Sequence, residues 1–268
     1  MRTRLSHRLG DVPGQYSHAG DIILFEAIRA TWSNASCNPT ATHIRFSPDT
    51  PLNAPCGRSP MLIPFATPVP YFTILETANA CLADVRTFNF YPGMLFRSRD
   101  KWWPDTGTRP TAHEGIDICY YTDSYGREQS FSPRIAIPVM ASGQTFAVCR
   151  DFLGHSVFID HGVDDFHRFL SVYAHIVLHR QVHIGQTVRT GDVVGTVADT
   201  TGRKNRMPVH VHISLMRIPR TVPHDRMDWT YICSSDQIDL IDPLSMLDCD
   251  QVAVHSGNPW KGQKQVTS

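Results

Sequence analysis

From residue 111 onward, short apolar and β-branched runs alternate with glycine-containing turns. R-I-A-I-P-V-M-A (134–141) is followed by Ser-Gly, then Q-T-F-A-V-C-R (144–150). A turn at Phe152-Leu153-Gly154 leads into H-S-V-F-I-D-H (155–161). F-L-S-V-Y-A-H-I (169–176), D-V-V-G-T-V-A (192–198) and V-H-V-H-I-S-L-M (209–216) complete the series. Closely spaced short strands with turn residues between them predict a mainly β, antiparallel domain. Glycines at 185, 191 and 195 suit tight turns between very short strands.

Residues 1–110 have a different texture. Prolines at 39, 49, 51, 55, 60, 64, 68 and 70 punctuate short apolar pieces. The stretch beginning at Asp21 reads as a strand or a short helix. Phe72 to Thr87 carries helical periodicity through Ile74, Leu75, Ala78, Leu82 and Val85. This half is expected to be an irregular N-terminal extension packed on a domain of residues 111–250, with a polar tail over 251–268.

Composition narrows the function classes. The 268 residues carry 25 basic and 25 acidic side chains, so no net charge argues for nucleic acid or an anionic membrane. No apolar run reaches the length of about 20 residues that a membrane helix needs. The N-terminus, M-R-T-R-L-S-H-R-L-G-D, lacks the apolar stretch of a signal peptide. The seven cysteines form no C-x-x-C pair, which argues against a cysteine-ligated structural zinc. They read either as free thiols or as disulfides such as Cys233–Cys249 and Cys37–Cys56.

The chemistry sits in the histidines. In a strand, residues i and i+2 face one way, so His210, His212, Ser214 and Met216 share one side of the last long run. Val209, Val211, Ile213 and Leu215 share the other, which is assigned to the core. Two imidazoles about 6.6 Å apart suit either two metal ligands or one ligand beside an acid/base group. A second cluster, T-A-H-E-G-I-D-I, spaces His113 and Asp117 four residues apart. Fully extended, they would be about 13 Å apart, too far to share an ion. Gly115, Ile116 and Ile118 disfavour a helix, so a bend at Gly115 is expected to bring both together before a strand begins at Ile116. Tyr173 and His175 share a face of a further predicted strand, which makes His175 another imidazole for the site.

H-x-x-x-D, Y-A-H and H-x-H in this order resemble the lysostaphin/LytM-type zinc endopeptidases that cut peptidoglycan cross-bridges. H-E-G-I-D-I, P-V-M-A-S-G, V-F-I-D-H-G, I-G-Q-T-V-R-T-G-D-V-V-G-T-V and I-D-P-L-S-M-L each resemble a family segment, from residue 111 to about 247. The resemblance implies a compact, barrel-like sandwich of short strands. It implies one zinc held by His113, Asp117 and His212, with His210 and His175 as the catalytic imidazoles beside a zinc-activated water. The substrate implied is a peptidoglycan cross-link or stem peptide, which places the protein in the cell envelope. A catalytically inactive member that binds cell wall or activates another hydrolase is the alternative.

This sequence departs from the family in three places. Val211 replaces the usual Leu between the two histidines. The segment from Cys119 to Pro133 is longer than the family's turn and begins beside the site, where it stands to reshape the groove. The approach R-K-N-R-M-P-V lacks the usual Gly-Pro, and its Arg203, Lys204 and Arg206 read as a solvated loop. His161 reads as a structural, hydrogen-bonded histidine. Trp102, Trp103, Tyr120 and Tyr121 flank the first motif as either groove lining or packing.

Overall fold

The computed structural model describes residues 65, 67–104, 107–202 and 207–260. The chain divides into two compact units, Met1–Cys56 and Gly57–Ser268, and every described residue lies in the second. The stretch from Asp21, the pair Cys37 and Cys56, and Arg203, Lys204 and Arg206 lie outside the described residues.

The second unit is mainly β. Strands β5 (Ala136–Pro138), β6 (Gly143–Arg150), β7 (His155–Val163), β8 (His167–Leu178), β10 (Val193–Val197) and β11 (Val211–Pro219) fall on the six apolar runs. Strand β9 (Thr187–Val188) lies between the turns at Gly185 and Gly191, both at positive φ. These strands join β2 (Ile116–Ile118) and β12 (Asp239–Ile241) in a nine-stranded sheet whose main path runs β12-β11-β8-β7-β6-β9. A second sheet has the order β13-β1-β3-β4, from β1 (Val85–Phe90), β3 (Tyr120–Asp123), β4 (Glu128–Ser130) and β13 (Val252–Val254). The expected barrel-like sandwich is realised as two open sheets; among the described residues neither closes. No described helix is long and apolar enough to cross a membrane.

Part of the N-terminal half is built into the same core. The periodicity of 72–87 yields helix α1 only over Tyr71–Thr77, and Val85 already belongs to a strand. Asn79 explains the early stop. Its Nδ2 donates to Leu75 O and to Ala136 O, and its Oδ1 accepts from Ala136 N–H. A side chain bonded to both the N–H and the C=O of Ala136 in β5 substitutes for a further helical turn. Phe72, Phe88 and Trp102 are buried with Ile116, Tyr173 and Val211 in the main apolar cluster. The expected C-terminal tail contributes β13, paired parallel with β1.

The long segment after Ile118 does not reach the groove. It forms the β3–β4 hairpin, and β3 pairs with β1 in the second sheet. Strand β11 is buried on both faces, where the alternation assigned only one to the core. Val211, Ile213 and Leu215 join the main cluster. Met216 and Ile218, beyond the histidines on the opposite face, pack with Ile232 of helix α2 (Trp229–Ser234) in a second cluster. Cys233 and Cys249 are free thiols, not a disulfide. The Cys233 thiol instead donates to Glu114 Oε1, and Cys249 contacts the carbonyls of Leu244 and Leu247.

Candidate metal centre

Three strands bring the predicted residues together by register. Antiparallel β2 and β11 set Asp117 opposite His212, and β11 and β8 set His212 opposite Ala174. Residues directly opposite on one face approach closely. His113 precedes β2 and joins them through the bend at 114–115, after which the strand begins at Ile116 as expected. Glycine is required at that bend: a Cβ on Gly115 would lie 2.0 Å from the Ile213 carbonyl oxygen of β11.

The donor atoms form a nearly equilateral triangle. His113 Nε2 lies 2.9 Å from His212 Nδ1 and 3.1 Å from Asp117 Oδ1, and His212 Nδ1 lies 2.9 Å from Asp117 Oδ1. One face of a zinc tetrahedron with bonds of about 2.0–2.1 Å has edges of about 3.3 Å. The tautomers also fit. His113 Nδ1 is 3.1 Å from the Leu95 carbonyl, which only accepts, so the hydrogen sits there and Nε2 keeps its lone pair. His212 Nε2 is 2.7 Å from Ser214 Oγ; with its hydrogen on Nε2, Nδ1 turns a lone pair to the same point. Three lone pairs converging without a cation would repel, so the donor set fits a divalent metal.

Burial favours the neutral forms of His212 and His210 beside an ionised Asp117 carboxylate. Burial works against ionisation of Asp117, but the adjacent His113, His212 and His210 outweigh it and hold the carboxyl well below its usual range. Burial lowers the His212 imidazole despite its bond to Asp117. It lowers His210 to about 3, again against the attraction of Asp117. Metal ligation requires these protonation states.

The two further imidazoles flank the triangle. The His210 ring centroid is 5.0 Å from that of His175, and His175 is 5.9 Å from His212. His210 lies just before β11, and its Nδ1–H donates to the Pro208 carbonyl at 2.7 Å. Its Nε2, carrying the lone pair, is 3.9 Å from Asp117 Oδ1.

His175 reaches the site against strand alternation. Tyr173 pairs with Ile213 and belongs to the main core, so a regular strand would turn His175 to that side too. The expectation that the two share a face is therefore wrong. His175 adopts φ +64°, a left-handed conformation that costs a non-glycine residue about 1–2 kcal/mol, and the ring swings to the histidine side.

Asp151, which carries no motif, offsets this strain. Its Oδ2 accepts the His175 amide N–H at 2.9 Å, and its Oδ1 lies 3.2 Å from His175 Nδ1. Oδ1 and Oδ2 also accept from Leu153 N, Gly154 N and Ser156 Oγ, and the carboxylate is fully buried. The only sequence signal for this is an aspartate opening the D-F-L-G turn, an Asx-turn composition.

A cleft of about 90 Å³ opens on the cluster, walled by Trp103, Phe152, Met207 and Trp229. Trp103 is thus groove lining. Trp102 and Tyr120 are buried packing, Trp102 with an added bond to Asp117. Phe152 and Trp229 were not legible as site residues. Phe152 sits in the predicted turn with its ring 4.8 Å from His175, and Trp229 opens α2 with its ring 5.1 Å from His212. His161 is held as expected of a structural residue, by the Ser142 carbonyl and the Ser171 hydroxyl.

One family model matches part of the chain. The model of peptidase family M23 matches residues 112–225. The NMR solution structure of lysostaphin aligns over 55% of this chain at 16% identity and a TM-score of 0.34; the chain covers 48%, about half, of lysostaphin's own length. The catalytic domain of the prophage-encoded M23 protein EnpA from Enterococcus faecalis aligns over 54% of this chain and 85% of its own, at 19% identity and a TM-score of 0.31. Among curated proteins none matches. The domain of residues 112–225, with its ordered H-x-x-x-D, Y-A-H and H-x-H residues, thus matches peptidase family M23, a metallopeptidase family, over somewhat less than half of the chain.

Proposed function

We propose that this chain is a zinc endopeptidase that hydrolyses peptide bonds in peptidoglycan cross-links or stem peptides, acting in the cell envelope. The observation that carries the reading is the convergence of three donor atoms, His113 Nε2, Asp117 Oδ1 and His212 Nδ1, within 3.1 Å of one another in a cleft that two further imidazoles enter. His113, Asp117 and His212 hold the metal. Zinc bound there supplies a water of lowered pKa and polarises the scissile carbonyl.

The protein's own groups divide the proton work. His210 is neutral because burial lowers it to about 3, and its Nδ1–H is committed to Pro208 O. Its Nε2 is therefore the base that takes the proton of the attacking water. His175 has Nδ1 beside Asp151, which leaves Nε2 as its second ring nitrogen; once protonated, His175 donates from Nε2 to the carbonyl oxygen that gains charge. Trp103, Phe152 and Trp229 wall the cleft and limit the water around the reacting groups.

The test compares wild type with His113→Ala and His210→Ala for zinc content and for release of peptides from purified peptidoglycan, read by mass spectrometry. His113→Ala is expected to lose zinc. His210→Ala is expected to keep zinc and lose about 10²–10⁴-fold in rate. Full activity in either variant would sink the assignment. A zinc-loaded wild type that leaves peptidoglycan intact but cleaves other peptides would sink only the substrate.

A further inference from the structure

We propose that Trp102 and Arg109, which precede the matched family region, are positioning residues that make Asp117 a one-oxygen metal ligand. This inference rests on reading His113, Asp117 and His212 as the metal centre. The two carboxylate oxygens of Asp117 have separate surroundings. Oδ1 faces the two imidazole donors, at 3.1 and 2.9 Å. Oδ2 is turned the other way and accepts from Trp102 Nε1–H at 2.7 Å and from Arg109 Nη2–H at 3.0 Å.

Both donors are fixed by the segment that carries them. Trp102 is fully buried, its ring packed edge-on against Tyr120, Trp103 and His210. Arg109 Nη2 also donates to the Gly93 carbonyl at 2.8 Å, and its guanidinium lies 4.9 Å from the centre of the Trp103 ring. A bridge between Asp100 and Thr108 and the bond from Arg109 N–H to Arg99 O hold the two donors on one hairpin. Gly93 lets that hairpin approach, since a Cβ there would lie 2.7 Å from Trp102 N. The same segment supplies the Leu95 carbonyl that fixes the His113 tautomer.

The consequence is chemical. A carboxylate that turns both oxygens to a metal occupies two positions, whereas hydrolysis needs open positions for water and the substrate carbonyl. An indole N–H and a largely desolvated guanidinium on one oxygen, a charge-assisted arrangement, hold that oxygen away. Gly93, Leu95, Trp102 and Arg109 are then part of the surroundings of the metal centre, although they lie outside the stretch of family likeness. Trp102 also touches His210, so the group that restrains the ligand orients the base.

The experiment uses the full chain, stripped of metal and loaded with cobalt(II) or zinc, as wild type, Trp102→Phe, Arg109→Leu and the double variant. Thermal unfolding of the metal-free proteins controls for folding. Wild type is expected to give the intense visible bands of four-coordinate cobalt. The double variant is expected to lose those bands several-fold as Oδ2 turns to the metal, with zinc bound roughly 10–100-fold more weakly. Arg109→Lys should recover part of the band intensity lost in Arg109→Leu. Should the double variant not fold, Trp102→Phe alone, which keeps a buried ring, is read the same way. Unchanged bands with zinc affinity within twofold in a folded variant would overturn the clamp while leaving the metal centre standing. A wild type that binds neither metal overturns both.

Discussion

The ligand triangle and the imidazole pair lie in one cleft but are built by different means. Asp117 and His212 depend on regular strand geometry, as opposite residues of an antiparallel ladder, and His113 joins them from the bend just before β2. His175 and His210 depend on departures from it. His210 sits before its strand and is anchored to a carbonyl two residues back, and His175 is turned out of its strand by a left-handed residue that Asp151 supports. A ladder that fixes many residues at once gives ligand positions that are hard to disturb singly. A strained residue held by one carboxylate is disturbed by one substitution. Metal binding and catalysis should therefore separate on mutation.

The largest effect is expected where the two constructions share a support. Gly115→Ala drives a Cβ into the β11 backbone beside His212, a contact that no rotamer relieves. It should cost about 3 kcal/mol or more and abolish both zinc binding and hydrolysis. Chemical denaturation and metal analysis check this. Normal zinc affinity in that variant would mean that β2 and β11 adjust freely, and the ladder would not be what sets the triangle.

A smaller and more selective effect is expected at Asp151. Asp151→Asn keeps the shape but removes the charge and part of the acceptor set facing His175. We expect kcat to fall about 10–100-fold, with KM and zinc content little changed and a stability cost of about 1–3 kcal/mol. Loss of zinc in step with kcat would erase the distinction between the two constructions.

The smallest effect is a pH dependence away from the site. Burial lowers the His161 imidazole below its ordinary 6.5, against its bond to the Ser142 carbonyl and the nearby Asp160. As pH falls through 6.5, the unfolded chain takes a proton that folded His161 refuses. Its contribution to stability is therefore present above that pH and is lost as the medium becomes more acidic. Urea unfolding of the metal-free protein between pH 7 and 5 should show a shallower loss of stability in His161→Gln than in wild type. Identical slopes would remove His161 as a contributor.

Much of the site was legible because its signals are local. The H-E-G-I-D bend, the i, i+2 placement of His210 and His212, and the turn glycines at 185 and 191 depend only on backbone geometry near each residue. Periodicity misled where partners decide. Helix α1 stops early because Asn79 bonds to β5, and β11 buries both faces because α2 covers the far one. The segment after Ile118 joins the second sheet instead of the groove because β1 offers it an edge.

The sequence by itself determined the strands of the six apolar runs and the order of the three residues proposed as metal ligands, since alternation and spacing are properties of the chain alone. Only the tertiary structure decided which side His175 faces, that Asp151 holds it, and that Trp102 and Arg109 take one oxygen of Asp117. Those outcomes depend on hydrogen bonds between residues that are distant in sequence or turned out of alternation, and their strength comes from burial, which no local pattern records.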